Sequence, residues 1–138
     1  MVILEAAAPE DIKLILQQGL RAYNQNFLGH YDRKNFAFYI KNTAGEVVAG
    51  VYGFVITQHK TMRLEFIWVQ ENNRGQGFGT QLLQAVDRDA MTQGCHTIQV
   101  STMDFQGVMF YEKMGYQQVG VIPQWFCDKD EVFLVKNL

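Results

Sequence analysis

Phe66-Ile67-Trp68-Val69-Gln70-Glu71-Asn72-Asn73-Arg74-Gly75-Gln76-Gly77-Phe78-Gly79-Thr80-Gln81-Leu82-Leu83 is the stretch whose reading decides the fold. Its apolar beginning, through Val69, has strand character. A short polar connection follows. Arg74, Gly75, Gly77 and Gly79 then lead into the helical spacing of Phe78, Leu82, Leu83, Val86, Ala90 and Met91, with Gly94 placed as the stop. Strand, glycine-rich turn and helix start make an anion cradle. Glycines let backbone N–H groups approach a ligand with no Cβ in the way. The first helical turn offers free N–H groups at the positive end of the dipole. A phosphate or pyrophosphate suits that place.

Two common phosphate patterns do not fit. A dinucleotide fingerprint needs G-x-G-x-x-G with an acidic residue about 20 positions on. A P-loop needs a longer glycine span followed by lysine. Here the spacing is G-x-G-x-G, with Thr80 and no lysine after it.

Working outward, Phe36 to Lys41, Val47 to Ile56 and Met62 to Val69 read as three strands with short links, hence an antiparallel meander. Gly50 and Gly53 inside the second strand mark a bulge or a close backbone approach. Upstream, Val2 to Ala7 reads as a strand. Pro9 opens an amphipathic helix carrying Ile12, Ile15, Leu16, Leu20, Tyr23 and Phe27 on one face. Downstream, His96 to Thr102 reads as a strand parallel to Met62–Val69, since a helix joins them. Asp104 is a candidate N-cap for a short helix ending near Met114 and Gly115. Tyr116 to Ile122 is a strand, Pro123 to Asp130 a loop, and Glu131 to Val135 a closing hairpin partner. The expected fold is an α/β mixed sheet, of α+β character, in the order β-α-β-β-β-α-β-α-β-β, and one domain over residues 1–138.

Composition narrows the function. The chain has 138 residues and a formal net charge of −2, which argues against nucleic acid or an anionic membrane as partner. No apolar run reaches the roughly 18 residues of a membrane span, and no signal peptide is visible. Cys95 and Cys127 have no metal spacing, so free thiols, no metal and a cytoplasmic location are expected. His30, His59 and His96 form no ligand cluster.

Taken together, Arg74-Gly75-Gln76-Gly77-Phe78-Gly79 resembles the coenzyme A pyrophosphate loop Q/R-x-x-G-x-G/A of the GNAT acyltransferase superfamily. A second segment, Asp104-Phe105-Gln106-Gly107-Val108-Met109-Phe110-Tyr111-Glu112-Lys113-Met114-Gly115-Tyr116, resembles that family's N-x-x-A-x-x-F-Y-E-K-x-G-F. It departs at Asp104, where Asn is usual, and at Gly107, where Ala is usual. The order of elements is similar to the GNAT fold over essentially the whole chain, in a bacterial-type single-domain form. The resemblance implies an N-acetyltransferase that moves an acetyl group from acetyl-CoA to a primary amine, small molecule or peptide, by direct attack in a ternary complex. A CoA-binding module without catalysis is the competing reading.

The resemblance also implies roles. Tyr111 would be the general acid for the departing thiolate. Backbone N–H groups near Trp68 and Val69, where two strands splay apart, would face the thioester carbonyl. Arg74, Gly75, Gln76, Gly77, Phe78, Gly79 and Thr80 would hold the pyrophosphate, with Asp104, Gly107 and Phe110 along the rest of the cofactor. From the residues alone, Glu65 is a carboxylate on a mostly apolar strand. Strict alternation would put it on one face with Ile67 and Val69, as a candidate general base or as a solvated side chain. Trp125 and Phe126 could line the acceptor site or form a homodimer contact.

Overall fold

The computed structural model describes residues 1–138. They divide into two compact units, residues 1–31 and 32–138. In the first unit, α1 spans Glu10–Leu28. Pro9 stands at its N-cap, Glu10 and Asp11 complement the dipole, and Gly29 ends it at a φ of 69°. The expected strand at residues 2–7 does not form. Strand character is realised only through a ladder partner, and no strand pairs with Val2, Ile3 or Leu4, which are exposed.

The second unit holds one six-stranded sheet, ordered β1-β2-β3-β4-β6-β5. Its strands are β1 (Lys34–Lys41), β2 (Val47–Ile56), β3 (Thr61–Val69), β4 (Thr97–Met103), β5 (Gln117–Phe126) and β6 (Lys129–Asn137). The first three form the expected antiparallel meander. Helix α2 (Phe78–Thr92) makes the crossover to the parallel strand β4. Helix α3 (Val108–Lys113) leads into the β5–β6 hairpin, and β6 inserts beside β4. The mixed sheet is therefore as expected, without the leading strand.

Alternation decides which faces are buried. Ala49, Val51 and Val55 of β2, Met62 and Leu64 of β3, and Ile98 and Val100 of β4 form one core cluster. Helix α2 adds Leu82, Leu83, Val86 and Ala90, its single apolar stripe. The register of β2 against β3 slips once. Tyr52 faces Phe66 and Gly53 faces Leu64, so Glu65 is an extra residue in a bulge. Strict alternation along β3 is thereby broken. Leu64 and Ile67, not Glu65 and Ile67, keep the same side, and Glu65 is exposed. A Cβ on Gly53 would lie 2.2 Å from the Arg63 carbonyl oxygen, so the bulge needs glycine there.

The segment from Pro123 is strand to Phe126 rather than loop. Edge strands accommodate proline because their outer N–H has no ladder partner. The ladder skips from Ile122 to Phe126, and Gln124, at a φ of 50°, donates its N–H to the Asp130 carboxylate instead.

One polar cluster interrupts the interior. The Lys136 ammonium of β6 meets the Asp87 carboxylate of α2 at 2.6 Å, with the two side chains 19% and 21% exposed. Asp87 Oδ1 and the Tyr116 hydroxyl are buried there without a hydrogen-bond partner. Removing one member of this partly buried pair leaves the other charge without its partner. Lys136→Ala should therefore cost about 1–2 kcal/mol in urea unfolding, while the double change Lys136→Met with Asp87→Leu should cost less. Equal losses for both variants would show that packing, not charge, is at stake.

Candidate functional site

The cleft begins where β3 and β4 part. Their parallel ladder covers only Thr61–Thr97, Met62–Ile98 and Arg63–Gln99. From Leu64 onward the β4-facing side of β3 has lost its partner, and this includes Trp68 and Val69. The opening is a cleft of ≈ 970 Å³. One wall is Glu65 to Val69 of β3. Another is Ser101 and Thr102 of β4. The glycine turn and α2 start, together with Phe105 to Gly107, Phe110 and Tyr111, complete it.

The glycine turn is built as an anion cradle. Gly75 and Gly77 have φ values of 76° and 81°, and a Cβ on either would meet nothing within 4 Å. Their glycine requirement is therefore conformational. Gly77 is the N-cap of α2, and no side chain caps the first turn. The N–H groups of that turn stay available to an anion. Gly79 has a different reason. A Cβ there would lie 3.0 Å from Phe110 Cζ, so glycine lets α3 pack closely on α2. The Arg74 side chain turns back and donates from Nε to the Val69 carbonyl at 3.1 Å, joining turn to strand end. A pyrophosphate fits this donor set: uncapped amides, a helix N-terminus and one guanidinium.

Tyr111 lines the same cleft and is 3% exposed. Burial pushes its phenol up to about 12. Its ring meets Tyr116 edge to face, with centroids 5.4 Å apart, and its backbone oxygen accepts the Tyr116 N–H at 3.0 Å. Glu65 reaches the cleft from the bulge.

Twelve of the predicted residues thus converge: Glu65, Trp68, Val69, Arg74, Gly75, Gly77, Phe78, Gly79, Thr80, Gly107, Phe110 and Tyr111 line one cavity. Gln76 and Asp104 do not line it. Asp104 is not the N-cap of α3 either. That place belongs to Gly107, with no side-chain cap. The Asp104 carboxylate instead accepts the Asp130 N–H at 3.2 Å, while its own N–H goes to the Asp130 carbonyl, so it fastens the β5–β6 hairpin. Trp125 and Phe126 are exposed near that hairpin's tip, their rings 5.7 Å apart.

Sequence reasoning missed Phe66, Ile67, Asn73, Ser101, Thr102, Phe105 and Gln106, all of which line the cleft. Thr102 carried a signal. It is a polar side chain at a position the strand alternation assigns to the core, and it is 8% exposed.

The family model for the GNAT acetyltransferases matches residues 3–116, a span that runs through both units. The blasticidin-S acetyltransferase of Streptomyces morookaense is 33% identical over 104 residues, 75% of each chain. An acetyltransferase from Bacillus cereus superposes with a TM-score of 0.88 at 25% identity, covering 99% of this chain and 98% of that one. An aminoglycoside 6'-N-acetyltransferase complexed with coenzyme A has the same fold, with a TM-score of 0.67 at 21% identity over 75% and 72% of the two chains. A wedge between parallel strands, an uncapped glycine-rich helix start beside it and a match over residues 3–116 agree, and the chain belongs to the GNAT family of acetyltransferases.

Proposed function

We propose that the protein transfers an acetyl group from acetyl-CoA to a primary amine, carried by a small molecule or a peptide. The observation that carries this reading is the uncapped α2 N-terminus, with Gly75 and Gly77 at positive φ, opening into the same cleft as the buried Tyr111. Acetyl-CoA brings the acyl group as an activated thioester. The residues of this chain bind, orient and handle protons. The amides of the α2 start and Arg74 hold the pyrophosphate. The unpaired β3 edge at Trp68 and Val69 offers backbone groups to the donor's arm and to the carbonyl under attack. The amine nitrogen bonds to the carbonyl carbon, the carbon–sulfur bond breaks, and one proton passes from nitrogen to the sulfur side. Glu65 accepts the amine proton, directly or through water, and Tyr111 donates a hydrogen bond to the departing sulfur.

A thermal-shift titration with CoA tests the donor half. At 100 times Kd, binding adds about 2.7 kcal/mol, or roughly 9 °C for a domain of this size. An unchanged Tm at millimolar CoA would sink the reading. Free-thiol release from acetyl-CoA across an amine panel then identifies the acceptor.

A further inference from the structure

Tyr111 sits on a helix that cannot fix it alone. Helix α3 is six residues long and no side chain caps its N-terminus, so it has little stability of its own. From outside the helix, the ring packed on Tyr111 is that of Tyr116. Gly115, at a φ of 94°, ends the helix and turns the chain back. The Tyr116 N–H then donates to the Tyr111 carbonyl at 3.0 Å, and the two rings meet edge to face. One residue thus holds both the backbone and the side chain of the other.

Tyr116 is itself held, and is 2% exposed. The Lys136 ammonium lies 5.9 Å from its ring centroid, within reach of a cation–π contact. The same ammonium pairs with Asp87 of α2. The Lys136 stem runs beside Gly115, where a Cβ would come within 3.4 Å of Cε. Strand β6 and helix α2 therefore meet at Tyr116. Burial first, then Asp87 and Tyr111, raise its phenol above the ordinary value, so this support is uncharged at neutral pH. Its hydroxyl has no hydrogen-bond partner, which leaves the side-chain contact with Tyr111 to the ring.

We propose that Tyr116 is a positioning residue for acetyl transfer, its ring, seated against the Asp87–Lys136 pair, fixing the Tyr111 hydroxyl in the cleft. The inference rests on the acetyl-transfer reading above and on the part of Tyr111 in it. A hydrogen bond to the departing sulfur is directional, so a displaced donor loses its effect. Loss of the Tyr116 ring then lowers turnover rather than donor binding, because the pyrophosphate cradle is built from other residues.

A double-mutant cycle on kcat tests this. Y116L removes the ring and Y116F keeps it. In the wild-type background Y116L should lower kcat about tenfold, with the KM for acetyl-CoA within about twofold, and Y116F should recover most of that loss. In the Y111F background Y116L should change kcat by less than about twofold, since the hydroxyl it positions is gone. Should Y116L not fold, Y116M, whose flexible side chain fills irregular gaps, serves the same comparison. In the unliganded full chain, NMR of labelled tyrosine should show the Tyr111 ring flipping faster in Y116L than in Y116F or wild type. Equal kcat losses from Y116L in both backgrounds would overturn the proposal, and so would an unchanged kcat or an unchanged ring rate in Y116L. Wild-type kcat in Y111F is a different failure: it removes Tyr111 from the proposed reaction, and this inference with it.

Discussion

Tyr111→Phe is expected to lower kcat by about 10²-fold or more while leaving CoA affinity within about twofold. The ring and its packing on Tyr116 survive the change, and only the hydroxyl goes. The buried site defines what that hydroxyl can do. Burial raises its phenol to about 12, well above the roughly 8.5 of an ordinary thiol, so complete proton transfer to a free thiolate is uphill. In the proposed reaction Tyr111 therefore serves by holding a hydrogen bond to the sulfur as charge develops, and the amine proton ends on the sulfur through the medium. This makes a second expectation. Tyr111 contributes no alkaline limb to kcat below about pH 11, and a limb seen lower belongs to the amine or another group. The linkage runs the same way. A folded pKa raised from 10 to about 12 stabilises fully below pH 10, and this is lost as pH rises through 12. Wild-type should lose stability relative to Tyr111→Phe across that window. A variant with unchanged kcat in every productive acceptor assay would remove Tyr111 from the chemistry.

Much of this site was legible because its physics is local. Gly75, Gly77 and Gly94 announce themselves through positive φ, and the Leu82, Leu83, Val86 and Ala90 stripe through helical period. The parallel pairing of β3 and β4 followed from the crossover helix between them. What escaped depends on partners. Residues 2–7 have strand composition and no ladder. Asp104 was read as a helix cap from its neighbours, but its carboxylate serves Asp130, 26 positions away. Gln106 looks like any loop glutamine until Thr102 and Met103 fold onto it. The bulge at Glu65 was half visible. Apolar Met62 and Leu64 step by two, then Ile67 and Val69 resume in the opposite phase. Phe66 and Trp68, apolar on the other face, hid the shift.

That bulge is where fold and site meet, and Gly53→Ala should expose the connection. The new Cβ would sit 2.2 Å from the Arg63 carbonyl oxygen and 3.0 Å from Phe36 Cζ. The first contact is with backbone, which no rotamer change relieves. Either β2 and β3 separate, losing ladder bonds, or β3 slides to discard the bulge. Sliding by one residue would exchange the faces of Ile67, Trp68 and Val69, turning the cleft wall inside out. Both routes are expensive, and a loss of about 3 kcal/mol or more in urea unfolding is expected, together with loss of CoA-dependent stabilisation in whatever folded protein remains. Two glycines calibrate the result. Gly50→Ala meets the Phe38 carbonyl oxygen at 3.2 Å and should cost about 1 kcal/mol, while Gly120→Ala meets nothing within 4 Å and should be near neutral. If Gly53→Ala unfolds like Gly120→Ala and still binds CoA, the bulge does not depend on that glycine. Glu65 and the strand end beyond it would then be held by β3's own packing.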